Sequence, residues 1–109
     1  MRLPPALAAA ATTQILELLA PPPGRILELG FAGVHAMPLR LAGYDVVVVE
    51  PEQAHRERAQ SRAGEVLDTS PGGMFDAVVA PESADLSGIE VRMVLLVRHD
   101  GSVWSSASS

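Results

Sequence analysis

Two apolar runs, each with an acidic residue at or near its end, constrain the fold of this chain most. The first covers 25–30 (RILELG) and the second 45–50 (DVVVVE). Four consecutive valines are typical of a strand buried on both faces of a parallel sheet. An acid and a glycine turn after one strand, and an acid after the next, are typical of the sheet edge where α/β proteins bind ligands. The two runs therefore predict an α/β fold and indicate which edge of its sheet carries a site.

The remaining elements follow from periodicity and from turn residues. Pro21 closes an N-terminal helix, and Asp100-Gly101 predicts a turn after which the chain folds back antiparallel. Residues 91–97 are long enough for a helix, but their valines favour a strand. The predicted helices are 1–20, 37–42 and 51–63, and the predicted strands are 25–29, 45–50, 65–67, 75–80, 91–97 and 102–106. Met37 and Leu41, four residues apart on the second helix, are predicted to lie in the core.

The length of 109 residues suits one domain that buries about 65% of the surface of its unfolded chain. We expect a single unit, with an N-terminal helix in 1–20, a sheet core in 25–104 and a polar tail in 105–109.

Composition excludes several classes of function. The net charge is −5 without a long basic run, so nucleic acid is not an expected partner. The chain has no cysteine, and its three histidines lie far apart without the spacing of metal ligands, so no metal site is expected. No stretch reaches the roughly 18 apolar residues that cross a membrane, which predicts a cytoplasmic protein without a membrane partner.

Glu50 is the strongest candidate for ligand binding. A carboxylate has two acceptor oxygens, and one fixed at a strand end can hold both hydroxyls of a ribose. The alternative is a solvated acid at a strand end. Gly30 and Gly33 alone indicate only a tight turn, and their pairing with Glu50 gives them weight.

The order of these segments resembles the class I S-adenosylmethionine-dependent methyltransferases over residues 15–104. Residues 26–30 resemble the first motif of that family, 49–51 the second, and 65–68 the region whose acid faces the adenine amine. Residues 73–80 resemble its fourth strand, and 99–102 occupy the place of its turn before the fifth. The resemblance implies a three-layer Rossmann-like fold, with a mostly parallel sheet of about five or six strands, helices on both faces and room for an antiparallel C-terminal strand. It implies S-adenosylmethionine as cofactor, bound by Glu28, Gly30, Phe31, Gly33, Glu50 and Asp68.

Two departures from the family pattern shape the expectations. The glycine loop is one residue shorter and places Phe31 and Ala32 between Gly30 and Gly33. Phe31 either fills the space of the methionine part of the ligand or forms one wall of a narrowed pocket. The family's last two strands and substrate-binding insertions have no counterpart, so we expect a homodimer or a partner protein to complete the site.

Three functions fit the sequence. The first is a small methyltransferase acting on a small molecule, and the second is a non-catalytic cofactor sensor. The third is an oligomerisation or partner-binding module. The sequence identifies no catalytic residue, because methyl transfer depends chiefly on positioning. Glu82 and Asp85 follow the fourth predicted strand and could contact an acceptor, or they are solvated. His35 could approach a ligand, or it lies at the surface or caps a helix.

Overall fold

The computed structural model describes residues 3–60, 65–69 and 71–107 and contains one six-stranded sheet. The strands are β1 (Arg25–Leu29), β2 (Asp45–Val49), β3 (Glu65–Leu67), β4 (Met74–Pro81), β5 (Glu90–Val97) and β6 (Val103–Ala107). The helices are α1 (Pro5–Leu18), α2 (Ala36–Leu41) and α3 (Gln53–Gln60). The strand order is β3-β2-β1-β4-β5-β6, with β6 antiparallel to β5 and the other pairs parallel. The predicted fold class, a mostly parallel Rossmann-like sheet with an antiparallel last strand, is confirmed.

The first strand of the chain lies at the centre of the sheet. Leu27 is opposite Val47 on β2 and Val78 on β4, and all three side chains are fully buried. The chain moves outward from β1 to β3 and then returns to the other side of β1. Ligands of open α/β sheets bind at the carboxyl edge of such a switch point.

Alternating side chains of the sheet build two apolar clusters. The helix-side cluster contains Ile26, Val46 and Val48 of the sheet and receives the buried side chains Ala11, Ile15, Ala36, Leu39 and Ala59 from all three helices. The loop-side cluster contains Leu27, Val47 and Val78, and the connection 82–89 covers it with Ala84, Leu86 and Ile89. The described helices therefore pack on one face, and a loop takes the place of a helix on the other.

Several boundaries differ from the prediction. The strand interpretation of 91–97 is confirmed by β5. Strand β6 continues to Ala107, which pairs with Met93, so 105–107 belong to the sheet and not to a polar tail. The helix predicted for 51–63 is observed as α3, and residues 61–63, like 1–2 and 108–109, lie outside the described residues.

The prediction that Met37 and Leu41 lie in the core is wrong. Their side chains are 45% and 83% exposed, whereas Ala36 and Leu39 are fully buried. Helix α2 has only six residues, so it presents a narrow face, and residues three apart form that face. No helix in the described part of the chain is long and apolar enough to cross a membrane.

Candidate ligand-binding site

A cavity of about 920 Å³ opens between α1, the loop 30–35 and the first turns of α3. Residues 30 and 31 follow the carboxyl end of β1, and Glu50 follows that of β2. The residues that line the cavity come from three parts of the chain. They are Leu3, Pro5, Ala8, Ala9, Thr12, Thr13 and Leu16 around α1, Gly30, Phe31, Ala32, Val34 and Pro38 after β1, and Glu50, Glu52, His55 and Arg58 after β2. The apolar groups lie mainly on the α1 and loop walls, and the charged groups lie on the β2–α3 side. A volume of this size falls within the range of about 300–1,000 Å³ that is usual for small-molecule sites.

Glu50 combines burial with access to this cavity. Its backbone N–H donates to the carbonyl of Leu67 at 2.8 Å, which continues the pairing of β2 with β3. Its Oε1 accepts a hydrogen bond from the backbone N–H of Glu52 at 3.3 Å and lies 3.7 Å from His55 Nδ1. Because the residue is only 5% exposed, the alternative of a solvated strand end does not describe it. The carboxylate is held in place at the cavity wall.

Gly30 makes the tight turn between β1 and the loop. Its φ is +75°, and a Cβ at this position would lie 3.1 Å from Cγ and Cδ of Pro81. Both the turn and the approach of β4 therefore require glycine here.

Phe31 forms part of the cavity wall and also packs into the helix-side cluster. Its ring meets the His35 ring edge-on, with centroids 4.9 Å apart. The ring is therefore shared between the cavity wall and the core of the protein.

Glu28, Gly33 and Asp68 are not among the residues that line the cavity. Glu28 is fully buried, and its Oε1 accepts a hydrogen bond from the backbone N–H of His35 at 3.2 Å. Gly33 has a φ of +79° and accepts a hydrogen bond from the N–H of Ala36 at 3.0 Å. Glu28 and Gly33 thus hold the loop 30–35 in shape through hydrogen bonds outside the cavity lining. Asp68 follows β3 and is exposed.

Three alternatives were predicted for His35, namely approach to a ligand, a position at the surface and a helix cap, and the position at the surface is wrong. It occupies the N-cap position of α2, but its side chain makes no capping bond. The ring is fully buried, and its Nδ1 lies 2.7 Å from the Oγ1 of Thr12 on α1. Burial lowers the pKa of His35 to about 4, because a charged imidazolium loses its hydration there.

The polar side of the cavity contains residues that the sequence did not single out. Glu52, His55 and Arg58 line it. His55 Nδ1 lies 3.4 Å from Glu52 Oε2. Arg56 instead donates from Nη1 to the carbonyls of Glu50 and Pro51, at 3.2 and 2.6 Å. The only signal in the sequence was the dense run of charges directly after the β2 acid.

The two acids after β4 have partners elsewhere. Glu82 Oε2 lies 3.5 Å from Arg98 Nε. Asp85 accepts hydrogen bonds from the N–H and hydroxyl of Ser87, and these bonds lower the pKa of its carboxyl group. Neither acid lines the cavity.

No protein-family profile and no curated protein matches this chain. Several solved structures have a similar fold, among them the following two. One is a protein from Pyrococcus horikoshii provisionally assigned as an RNA methyltransferase, with a TM-score of 0.64 and 15% identity over 84% of this chain and 57% of its own. The other is acetophenone reductase from Geotrichum candidum in complex with NAD, with a TM-score of 0.59 and 16% identity over 78% of this chain and 29% of its own.

The chain thus spans little more than half of one neighbour and less than a third of the other. At such low identity the likeness shows the fold alone. The chain has a Rossmann-like α/β fold.

Proposed function

We propose that this protein binds S-adenosylmethionine in the cavity beside α1, with Glu50 accepting hydrogen bonds from both ribose hydroxyls. The observation that carries the proposal is the position of the Glu50 carboxylate. The residue is buried, follows the end of β2 and lines the cavity of about 920 Å³. A carboxylate at the carboxyl edge of the sheet is suited to a vicinal diol, because it offers two acceptor oxygens in a fixed position.

The other residues implied by the resemblance take distinct parts in this proposal. The ligand lies against the protein backbone at the Gly30 turn, and the Phe31 ring forms the cavity wall beside it. Glu28 and Gly33 keep the loop in shape without contacting the ligand. Asp68 follows Leu67, whose carbonyl accepts the Glu50 N–H, so the two acids are neighbours along one sheet edge. Asp68 would accept a hydrogen bond from the adenine amine.

Methyl transfer to a small molecule is the activity that we propose for the bound cofactor. Bound S-adenosylmethionine would supply an activated methyl group, which would pass to a lone pair of the acceptor, with S-adenosylhomocysteine as the leaving group and the acceptor's proton released to solvent. The protein's part is to align acceptor and methyl group, which alone can supply much of the rate enhancement. The net charge of −5 argues against a nucleic-acid acceptor.

A non-catalytic cofactor sensor is the second candidate. One observation favours it: Glu82 and Asp85, the acids after β4, are engaged by Arg98 and Ser87 and lie outside the cavity. In this case the protein binds the cofactor or its product and transfers nothing.

Calorimetric titration with S-adenosylmethionine and S-adenosylhomocysteine tests the binding proposal. Glu50→Gln keeps the shape of the side chain but removes its charge and one acceptor, so both affinities should fall by about 1 to 3 kcal/mol. Glu52→Gln is the matched control, since Glu52 also lines the cavity but is exposed. Its affinity should stay within about twofold of the wild type.

Unchanged affinity in folded Glu50→Gln would refute the role of Glu50. If the folded wild type binds neither compound, the proposal is wrong and the partner-binding module becomes the better hypothesis. Transfer of a labelled methyl group to small molecules of an extract then separates the two candidates, because binding without transfer supports the sensor.

A further inference from the structure

The hydrogen bond between Thr12 and His35 has a defined direction. The single hydroxyl proton of Thr12 is donated to the carbonyl of Ala8 at 2.9 Å. The same oxygen lies 2.7 Å from His35 Nδ1, so it must accept a proton from that nitrogen. Nδ1 therefore carries the hydrogen, and the imidazole is the neutral tautomer with its lone pair on Nε2. Nε2 is buried and has no hydrogen-bond partner in the described part of the chain.

This bond joins the two walls of the cavity. Thr12 lies on α1 among the cavity-lining residues, and His35 is the last residue of the loop 30–35 that forms the opposite wall. The backbone N–H of His35 donates to Glu28 at the end of β1. A continuous chain of hydrogen bonds thus runs from the sheet through His35 to the middle of α1. Both side chains are buried, where a neutral hydrogen bond is not exchanged for bonds to water.

We propose that Thr12 and His35 are positioning residues, whose hydrogen bond holds α1 against the loop at the width that the ligand requires. The inference rests on the proposed function, because it assigns the geometry of that same site. Neither side chain needs to touch the reacting atoms.

The expected loss of affinity follows from the fraction of molecules in which α1 and the loop have the separation that the ligand requires. If the bond is lost, α1 samples positions away from the loop, and only the fraction with the walls at the right separation binds ligand. The apparent dissociation constant rises by the inverse of that fraction. A bond with a merely structural role would stabilise the free and bound states equally, so its loss would leave affinity unchanged.

Thr12→Val and Thr13→Val form a matched pair. Both hydroxyls donate to the carbonyl four residues earlier, at 2.9 and 3.1 Å, and both residues line the cavity. Of the two, Thr12 contacts His35. In Thr12→Val we expect affinity for S-adenosylhomocysteine to fall about fivefold. Amide exchange within α1 should be about tenfold faster while β1 changes less. In Thr13→Val amide exchange within α1 should stay within about twofold of the wild type.

A double variant guards against loss of stability. Thr12→Val/His35→Phe removes both hydrogen-bonding partners and keeps a ring against Phe31, so no donor is left buried and unpaired. We expect it to recover unfolding free energy relative to Thr12→Val, with affinity and α1 exchange still altered. Recovery of affinity together with stability would overturn the proposal.

Two further results are informative. Equal acceleration of exchange in α1 and β1 with unchanged affinity would also overturn the positioning role. If the wild type binds neither S-adenosylmethionine nor S-adenosylhomocysteine, the proposed function fails, while exchange in the ligand-free variants still decides whether Thr12 and His35 hold α1.

Discussion

The buried polar residues of this protein divide into two groups. Glu50 reaches the cavity with its carboxylate, whereas Glu28 and His35 lie outside the cavity lining and are joined by hydrogen bonds to each other and to Thr12 on the α1 wall. A polar group taken out of water destabilises the fold unless it is hydrogen-bonded, so each buried polar group requires its partner at a defined position. One group would meet a ligand, and the other sets the shape of the loop that surrounds it.

His35 should make stability depend on pH. Its pKa is about 4 in the folded protein against 6.5 in the unfolded chain, so between these values the unfolded state binds more protons. The free energy of unfolding should therefore fall as pH drops through this window, by up to about 3 kcal/mol. Urea unfolding at pH 7 and pH 4.5 measures the change in the wild type and in His35→Phe, which cannot titrate.

The variant should lose less stability over this range than the wild type. His99→Asn, which removes an exposed histidine, serves as the comparison variant. Equal pH slopes in the wild type and His35→Phe would contradict the buried neutral histidine.

The sequence predicted that Glu50 lies at the sheet edge, but it did not predict the contact of Thr12 with His35 or the burial of His35. Glu50 was recognisable because a valine run ends at an acid, which places it at a sheet edge. Thr12 and His35 are 23 residues apart, one on a helix and one in a loop. No local pattern indicates that these two side chains meet, since their contact depends on how α1 crosses the sheet.

At the scale of elements, short helices were the hardest to predict. The strands were recognisable from apolar runs because a strand in a parallel sheet is buried on both faces. Helix α2 buries only Ala36 and Leu39, and its spacing of apolar residues also fits a face through Met37 and Leu41. With two faces almost equally apolar, the direction in which the helix packs decides between them.

Leu39 and Leu41 offer a test of that orientation. Leu39→Ala should cost about 2 to 5 kcal/mol of unfolding free energy, because it opens a cavity in the helix-side cluster. Leu41→Ala, on the same helix, should change stability by less than about 0.5 kcal/mol, because its side chain is 83% exposed. Urea denaturation of both variants measures the difference. Similar losses in the two variants would mean that α2 is rotated.

At the scale of the whole molecule, the sheet was predictable because several independent features of the sequence indicate the same parallel order of strands. These features are the valine runs, the glycine turns and the alternation of strands with helices. The covering of the second face was not predictable in this way. Helices were expected on both faces, but the connection 82–89 crosses the loop-side cluster as a loop, since its eight residues must also span the distance back to β5.

Self-association remains a prediction. The loop-side cluster is covered by a connection rather than a helix, and Trp104 on the edge strand β6 is 59% exposed. Sedimentation at several protein concentrations measures it, and we expect a dimer to form as concentration rises. A monomer at every concentration would contradict the homodimer.

The central position of β1 has a consequence for synthesis on the ribosome. Residues 26–28 need partners on both sides, and the second partner, residues 77–79, is translated about fifty residues later. While the ribosome makes the intervening segment, β1 is an open edge with apolar side chains and free carbonyls. This is the interval in which the nascent chain is most exposed to mispairing with another chain.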